Sequence, residues 1–139
     1  MDNIKEAKSK VVHTGERSLK KSGVIYPQHD AVEYCEQNYP VTTDEFKNIL
    51  DEMYITFCKK QRNYGPDNIS VGTPLANDND VKLSLTGLFF RMNDKISRIK
   101  QMVVFGQPDE VGESVADTYQ DLAVYGVIAQ LVQRMKWGK

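Results

Sequence analysis

Apolar positions along the chain gather into three long stripes separated by polar, breaker-rich stretches. The first runs Phe46, Ile49, Leu50, Met53, Tyr54, Phe57 and Cys58, the three-and-four spacing that places side chains on one buried helix face. Ahead of it, "TTDE" offers a capping box, with a threonine hydroxyl for an orphan amide and Glu45 reaching back. Behind it, basic residues collect in "KKQRNYGP", Gly65 can take the left-handed cap conformation, and Pro66 cannot continue a helix. The spacing therefore predicts a first helix over residues 43–63.

Residues 64–82 hold two prolines, two glycines and a cluster of Asn and Asp, which reads as a loop. Loops of that length in a compact domain are more often functional than idle. A second helix carries Leu85, Leu88, Phe89, Met92, Ile96, Ile99 and Val103 on one stripe, with Arg91, Asp94, Lys95 and Arg98 on its polar side. Asp94 and Arg98 also fit an ordinary surface pair four residues apart.

After the breaker "GQPDEVG" a third helix is predicted over residues 112–136. One side bears Glu113, Asp117 and Asp121 and continues as Val124, Val127, Ile128, Leu131 and Met135. The acids thus extend the core stripe. The other side carries Val115, Leu122, Gly126 and Ala129, so the helix has two sides to bury and a bundle completed by a second subunit is expected.

Residues 1–42 differ: they are polar and lack sustained periodicity. Val24, Ile25 and Tyr26 leave room for a short strand that Pro27 would stop. "SLKKSG" suits a solvated basic turn, or a phosphate held by Lys20, Lys21 and backbone amides. His13 and His29 have no ligand spacing and are given no catalytic role. The fold class expected is mainly α, a helical bundle of three to four long helices over residues 43–139, preceded by an irregular N-terminal arm over residues 1–42.

Composition narrows the function classes. A chain of 139 residues can bury one sizeable core. Its net charge of -1 gives no direct nucleic-acid signature. Cys35 and Cys58 are too few for a disulfide framework and lack zinc spacing. No apolar run is long enough to span a bilayer and no secretory pattern is present, so no membrane partner and a cytoplasmic location are expected.

The acids raise a question of chemistry. Steps of four advance a helix by only about 40°, so three carboxylates share a side and repel one another. Burying them demands cations, supplied either by Arg91, Lys95 and Arg98 or by a divalent ion. Magnesium takes a few carboxylates, keeps several waters and bridges to phosphates.

The runs "KKQRNYG", "GLFFRMNDKISRI" and "ESVADTYQDLAVYG" resemble the nucleotide modification associated domain 1 family of phages and bacteria, over about residues 46–130. That family is in turn similar to MazG-like and dimeric-dUTPase-like all-α nucleoside triphosphate pyrophosphohydrolases, in which acids from two helices hold magnesium. The resemblance implies a nucleotide-binding domain over residues 43–139 and a site at matching positions. Glu113 and Asp117 would be metal ligands, and Asp94 and Asp121 would complete the shell or orient water. Arg91, Lys95 and Arg98 would take phosphates, with Tyr64, Gly65 and Tyr125 beside the substrate. This sequence departs from the pyrophosphohydrolases where their first helix carries E-E-x-x-E: here "DEMYI" has Ile55 in place of the last acid, and the later helix reads E-x-x-x-D.

Three functions follow as alternatives. The first is a magnesium-dependent pyrophosphohydrolase of nucleotide or modified-base metabolism. The second is a non-catalytic module that binds or sequesters a nucleotide. The third is a purely structural helical homo-oligomer in which the acids pair with Arg91, Lys95 and Arg98.

Overall fold

The computed structural model describes residues 27–139, with side-chain surroundings from Asp30 onward. The chain divides between Thr56 and Phe57 into two compact units. Among the described residues the architecture is mainly α, with five helices, four of them long, and no strand. The strand expected at Val24, Ile25 and Tyr26, the basic turn at Lys20 and Lys21, and His13 lie outside the described residues, as does the His29 side chain.

In the first unit, α1 spans Pro27–Asn38 and α2 begins at Pro40, running as Pro40–Tyr64 beyond the division. Helical structure therefore enters earlier than the periodicity predicts. The reason lies in the two prolines: each opens a helix at the position where its missing N–H costs no hydrogen bond. With Pro40 starting α2, Thr42 is already helical and the capping box does not form. Thr43 instead donates its hydroxyl to the carbonyls of Tyr39 and Pro40 at 3.2 Å, and Glu45 accepts from Asn48. Lys47 pairs with Glu36 across the two helices. The stripe read as a buried face is largely open: Phe46, Ile49, Leu50 and Tyr54 are exposed, whereas Asp51 is buried. Spacing shows that a face is apolar but not that a neighbour covers it.

The second unit holds the last turns of α2 from Phe57, the single turn α3 (Asp67–Ser70), α4 (Asp78–Ile99) and α5 (Val115–Gln133). A π-helical turn, Lys100–Val104, finishes α4. Gly65 takes the expected left-handed conformation at φ 68°, its amide donating to Gln61 at 2.9 Å. Asn77 caps α4 by accepting from the Asp80 amide at 3.0 Å, while Asp80 reaches back to the Ala76 amide at 3.0 Å. Ser114 caps α5 through the Asp117 amide at 3.0 Å. Such caps satisfy amides that the helix itself leaves unpaired.

α4 packs against both α3 and α5. Ile69, Leu75, Leu88, Ile128, Val132 and Trp137 form the buried core, flanked by Phe57, Val81, Leu85, Val124 and Tyr125. Each such side chain contributes about 1.5–3 kcal/mol through removal from water. Polar groups inside are paired: the Ser84 hydroxyl donates to the Ile69 carbonyl at 2.7 Å, and the Trp137 indole N–H donates to the Pro66 carbonyl at 2.9 Å. These two bonds fix the loop between α2 and α4 from both sides. The cost is local, since Val71 and Leu75 sit at φ 55° and 51°, where a branched or bulky side chain is strained. No helix among the described residues is long and apolar enough to cross a membrane.

Candidate ligand pocket and its ion network

All of the site lies in the second unit. Lys60 from α2, Lys95 from α4 and Asp121 from α5 meet at one carboxylate. Lys60 Nζ is 2.9 Å from Asp121 Oδ1 and Lys95 Nζ is 3.0 Å from Oδ2. Lys95 also reaches Glu113 Oε1 at 2.6 Å. Arg98 extends the chain of charges, with Nε 3.8 Å from Glu113 Oε2 and Nη2 3.0 Å from Asp109 Oδ1. Its Nη2 further donates to the Glu113 carbonyl and its Nε to the buried Thr118 hydroxyl at 3.2 Å. Arg98 thereby holds the segment ahead of α5 against α4. Three cations and three carboxylates alternate, so each charge is shared rather than isolated.

The titrations follow this pairing. Burial alone would raise the Asp121 carboxyl, but hydrogen bonds from Lys60 and Lys95 outweigh it and hold the group below its ordinary value. Burial likewise pulls Lys95 down, and is overcome by its bonds to Glu113 and Asp121, which leave it raised. Lys60 is raised chiefly by its bond to Asp121. Asp109 is lowered by the Val111 amide first and Arg98 second. Every one of these groups is in its charged form at neutral pH.

Beside Asp121 opens a cavity of about 410 Å³, within the roughly 300–1,000 Å³ usual for small-molecule sites. Phe57, Val124, Ile128 and Trp137 give it an apolar wall. Tyr64 and Tyr125 add aromatic faces, and Lys60, Arg91 and Asp121 add charge. Arg91 is anchored by Nη2 donating to the Asn68 carbonyl at 2.7 Å. Phe57 meets Trp137 edge to face with ring centroids 6.1 Å apart, so α2 and the C-terminal turn join α5 in building the apolar wall.

The structure brings some predicted residues together and leaves others apart. Tyr64, Arg91, Asp121 and Tyr125 line the cavity. Lys95 and Arg98 are committed to carboxylates beside it. Gly65 serves as the cap of α2 rather than as part of the lining. Asp94 is exposed and makes no surface pair with Arg98, because Arg98 turns toward Asp109, Glu113 and Thr118. Glu113 lies before the first residue of α5, so it reaches Lys95 from the lead-in rather than from a helical ladder. Asp117 is exposed in the first turn of α5, its carboxylate outside the ion network.

Among the described residues no group of three or more His, Cys, Asp or Glu side chains is placed to hold a metal ion. Of the two expected metal ligands, Glu113 is engaged by Lys95 at 2.6 Å and Asp117 is exposed, while Asp121, expected to complete the shell or orient water, meets Lys95 as well. Both Asp121 oxygens are already engaged by lysines. This donor set does not fit a magnesium ion held by the protein's own carboxylates.

Lys60, Gln61, Asn68 and Trp137 were missed as pocket residues. Lys60 lies within "KKQRNYG", where basic residues already had an explanation as a helix C-terminus. The signal that could have found it is its place on the same helical face as Phe57 and Tyr64. Trp137 lies 71 positions from its hydrogen-bond partner Pro66, and no local pattern announces such a contact.

No curated protein and no solved structure matches the chain, so the likeness to the all-α pyrophosphohydrolases has no support from either comparison. What does match is a family model covering residues 84–133, from within α4 to the end of α5, and therefore Arg91, Lys95, Arg98, Glu113, Asp121 and Tyr125 but not Lys60 or Tyr64. Over that stretch, less than half of its length, the chain is similar to the family described as nucleotide modification associated domain 1.

Proposed function

We propose that this protein binds a nucleotide in the cavity between Tyr64, Arg91, Asp121 and Tyr125 and serves in nucleotide metabolism through that binding. The observation that carries the reading is one cavity combining aromatic faces with Lys60 and Arg91 at its wall. Aromatic rings offer stacking surface for a base. An anchored guanidinium offers its remaining N–H groups to a phosphate in a forked geometry. Lys95 and Arg98 act behind the cavity, holding Asp121, Glu113 and the lead-in to α5 in place.

Magnesium-dependent hydrolysis of a nucleoside triphosphate is the second reading, favoured by the placement of the Asp121 carboxylate in the same cavity as the two cations. Magnesium would then arrive with the phosphates as their counter-ion, since among the described residues no three His, Cys, Asp or Glu side chains gather to hold it. Self-association belongs to the same proposal. Along α4, Leu85, Phe89, Met92, Ile96 and Ile99 alternate by four and three, the register of a two-helix seam. Phe89 and Ile96 on that seam are 61% and 53% exposed, and a second copy of α4 would cover them.

A thermal-shift screen of natural and base-modified nucleotides, with and without magnesium, tests the function. A binding nucleotide raises Tm, and Tyr64→Ala or Arg91→Ala removes the rise. Product analysis of each hit separates the readings: the nucleotide recovered intact supports a binding module, and release of pyrophosphate supports the hydrolase. A screen with no shift from any nucleotide would overturn both.

A further inference from the structure

Resting on the reading of this cavity as a nucleotide site, we infer that its ligand is a nucleoside 5′-monophosphate, taken without a divalent metal, in preference to a triphosphate. The argument is one of charge and room. The charged groups lining the cavity are Lys60, Arg91 and Asp121, which leave a single net positive charge. Lys95 and Arg98 add nothing to that total: neither belongs to the lining, and both are committed to Asp121, Glu113 and Asp109.

A phosphate monoester carries about 1.5–2 negative charges at neutral pH, at most about one more than the lining's net positive charge. Lys60 could swing toward it while keeping Asp121 within reach, because its side chain is 51% exposed. Arg91 is already fixed by the Asn68 carbonyl, so little side-chain freedom is lost when its free N–H groups grip the ester. A triphosphate would bring further negative charge to the same two cations and to the Asp121 carboxylate. Its usual remedy is magnesium, which asks for oxygen ligands with lone pairs to give. Asp121 is the cavity's carboxylate, and each of its oxygens already accepts a lysine. Of the nine uncharged lining residues seven are aromatic or aliphatic, suited to a base and sugar, and the neutral donors of Gln61, Asn68 and the two tyrosines cannot offset the charge of two more phosphates.

Isothermal titration of the full chain tests this with the four common 2′-deoxynucleosides, their 5′-monophosphates and their 5′-triphosphates, each in EDTA and in magnesium. The expected result is that one monophosphate binds at least about tenfold tighter than its nucleoside and its triphosphate, with the same Kd in EDTA and magnesium. Lys60→Gln and Arg91→Gln should bring the monophosphate's affinity close to the nucleoside's. Asp121→Asn, which adds one unit of positive charge to the lining, should narrow the gap between mono- and triphosphate. The wild-type series decides the matter even where a variant fails to fold. A triphosphate preferred in magnesium, or a monophosphate no tighter than its nucleoside, overturns this inference while leaving the nucleotide site standing. Absence of binding by every member of the series overturns this inference, and the nucleotide site falls with it only if the wider screen of natural and base-modified nucleotides also shows no shift.

Discussion

Asp121 concentrates the site's electrostatics in one side chain. Its carboxylate and the Lys95 ammonium are each only 19% exposed, so removing one partner strands a poorly hydrated charge. Asp121→Asn is expected to lower stability by about 1–3 kcal/mol, whereas Asp117→Asn, at an exposed position in the first turn of α5, should cost at most about 1 kcal/mol through the helix dipole. Urea unfolding of the two variants checks the contrast, and equal losses would contradict the geometry. The pH dependence has a defined sign. Asp121 is held below its ordinary value near 4. Its contribution is complete above that ordinary value and disappears as pH falls through the lowered one. Lys60 and Lys95 are raised above their ordinary value near 10.4, so their contribution is complete below it and disappears as pH climbs through the raised values. Urea midpoints should therefore lose nothing from this network between about pH 5 and 9 and fall on both flanks. Asp121→Asn should flatten both flanks, because it removes the group common to the two lysines.

At the level of elements, caps and one strained turn decide how firmly the pocket walls stand. Ser114 supplies the side-chain cap of α5, and Ser114→Ala should cost about 0.5–2 kcal/mol by leaving the Asp117 amide unpaired. That loss would also loosen the segment which Arg98 grips, so the variant should bind ligand more weakly as well as melt earlier. Val71, exposed and left-handed at φ 55°, predicts the opposite response. Val71→Gly relieves a conformation costing about 1–2 kcal/mol for an L residue but raises the chain's unfolded freedom by somewhat less. Thermal melting should show an unchanged or higher Tm. A marked decrease would mean that the Val71 side chain makes a contact worth more than its strain.

For the whole molecule, the exposed seam on α4 makes a prediction of its own. Sedimentation velocity at tens of micromolar should show an oligomer, and Ile96→Glu should yield a monomer that keeps its helical circular dichroism, since a charge on the seam opposes its own copy. A monomeric wild-type chain would end the self-association proposal. The core is a separate matter, answerable within one chain: Leu88→Ala should cost about 2–5 kcal/mol, because Leu88 is 2% exposed and touches the cluster shared by α3, α4 and α5.

Local spacing sufficed for the helical class, the three long stripes and the stop at Gly65, because these rest on patterns within a few turns of chain, and it left the acids of α5 to pair either with the basic residues of α4 or with a metal. The sequence also placed Tyr64, Arg91, Asp121 and Tyr125 among the candidates. Spacing could not tell which of the aligned acids turns inward. Asp121 meets Lys60 and Lys95 while Asp117, four positions earlier, stays exposed in the first turn of α5, where the buried side belongs to Thr118. Nor could it show that Lys95 bridges Glu113 and Asp121. That outcome depends on how α2, α4 and α5 cross, and on Trp137 closing the pocket through Pro66. Contacts between residues far apart in sequence carry no local periodicity, so they emerge only once the helices are packed.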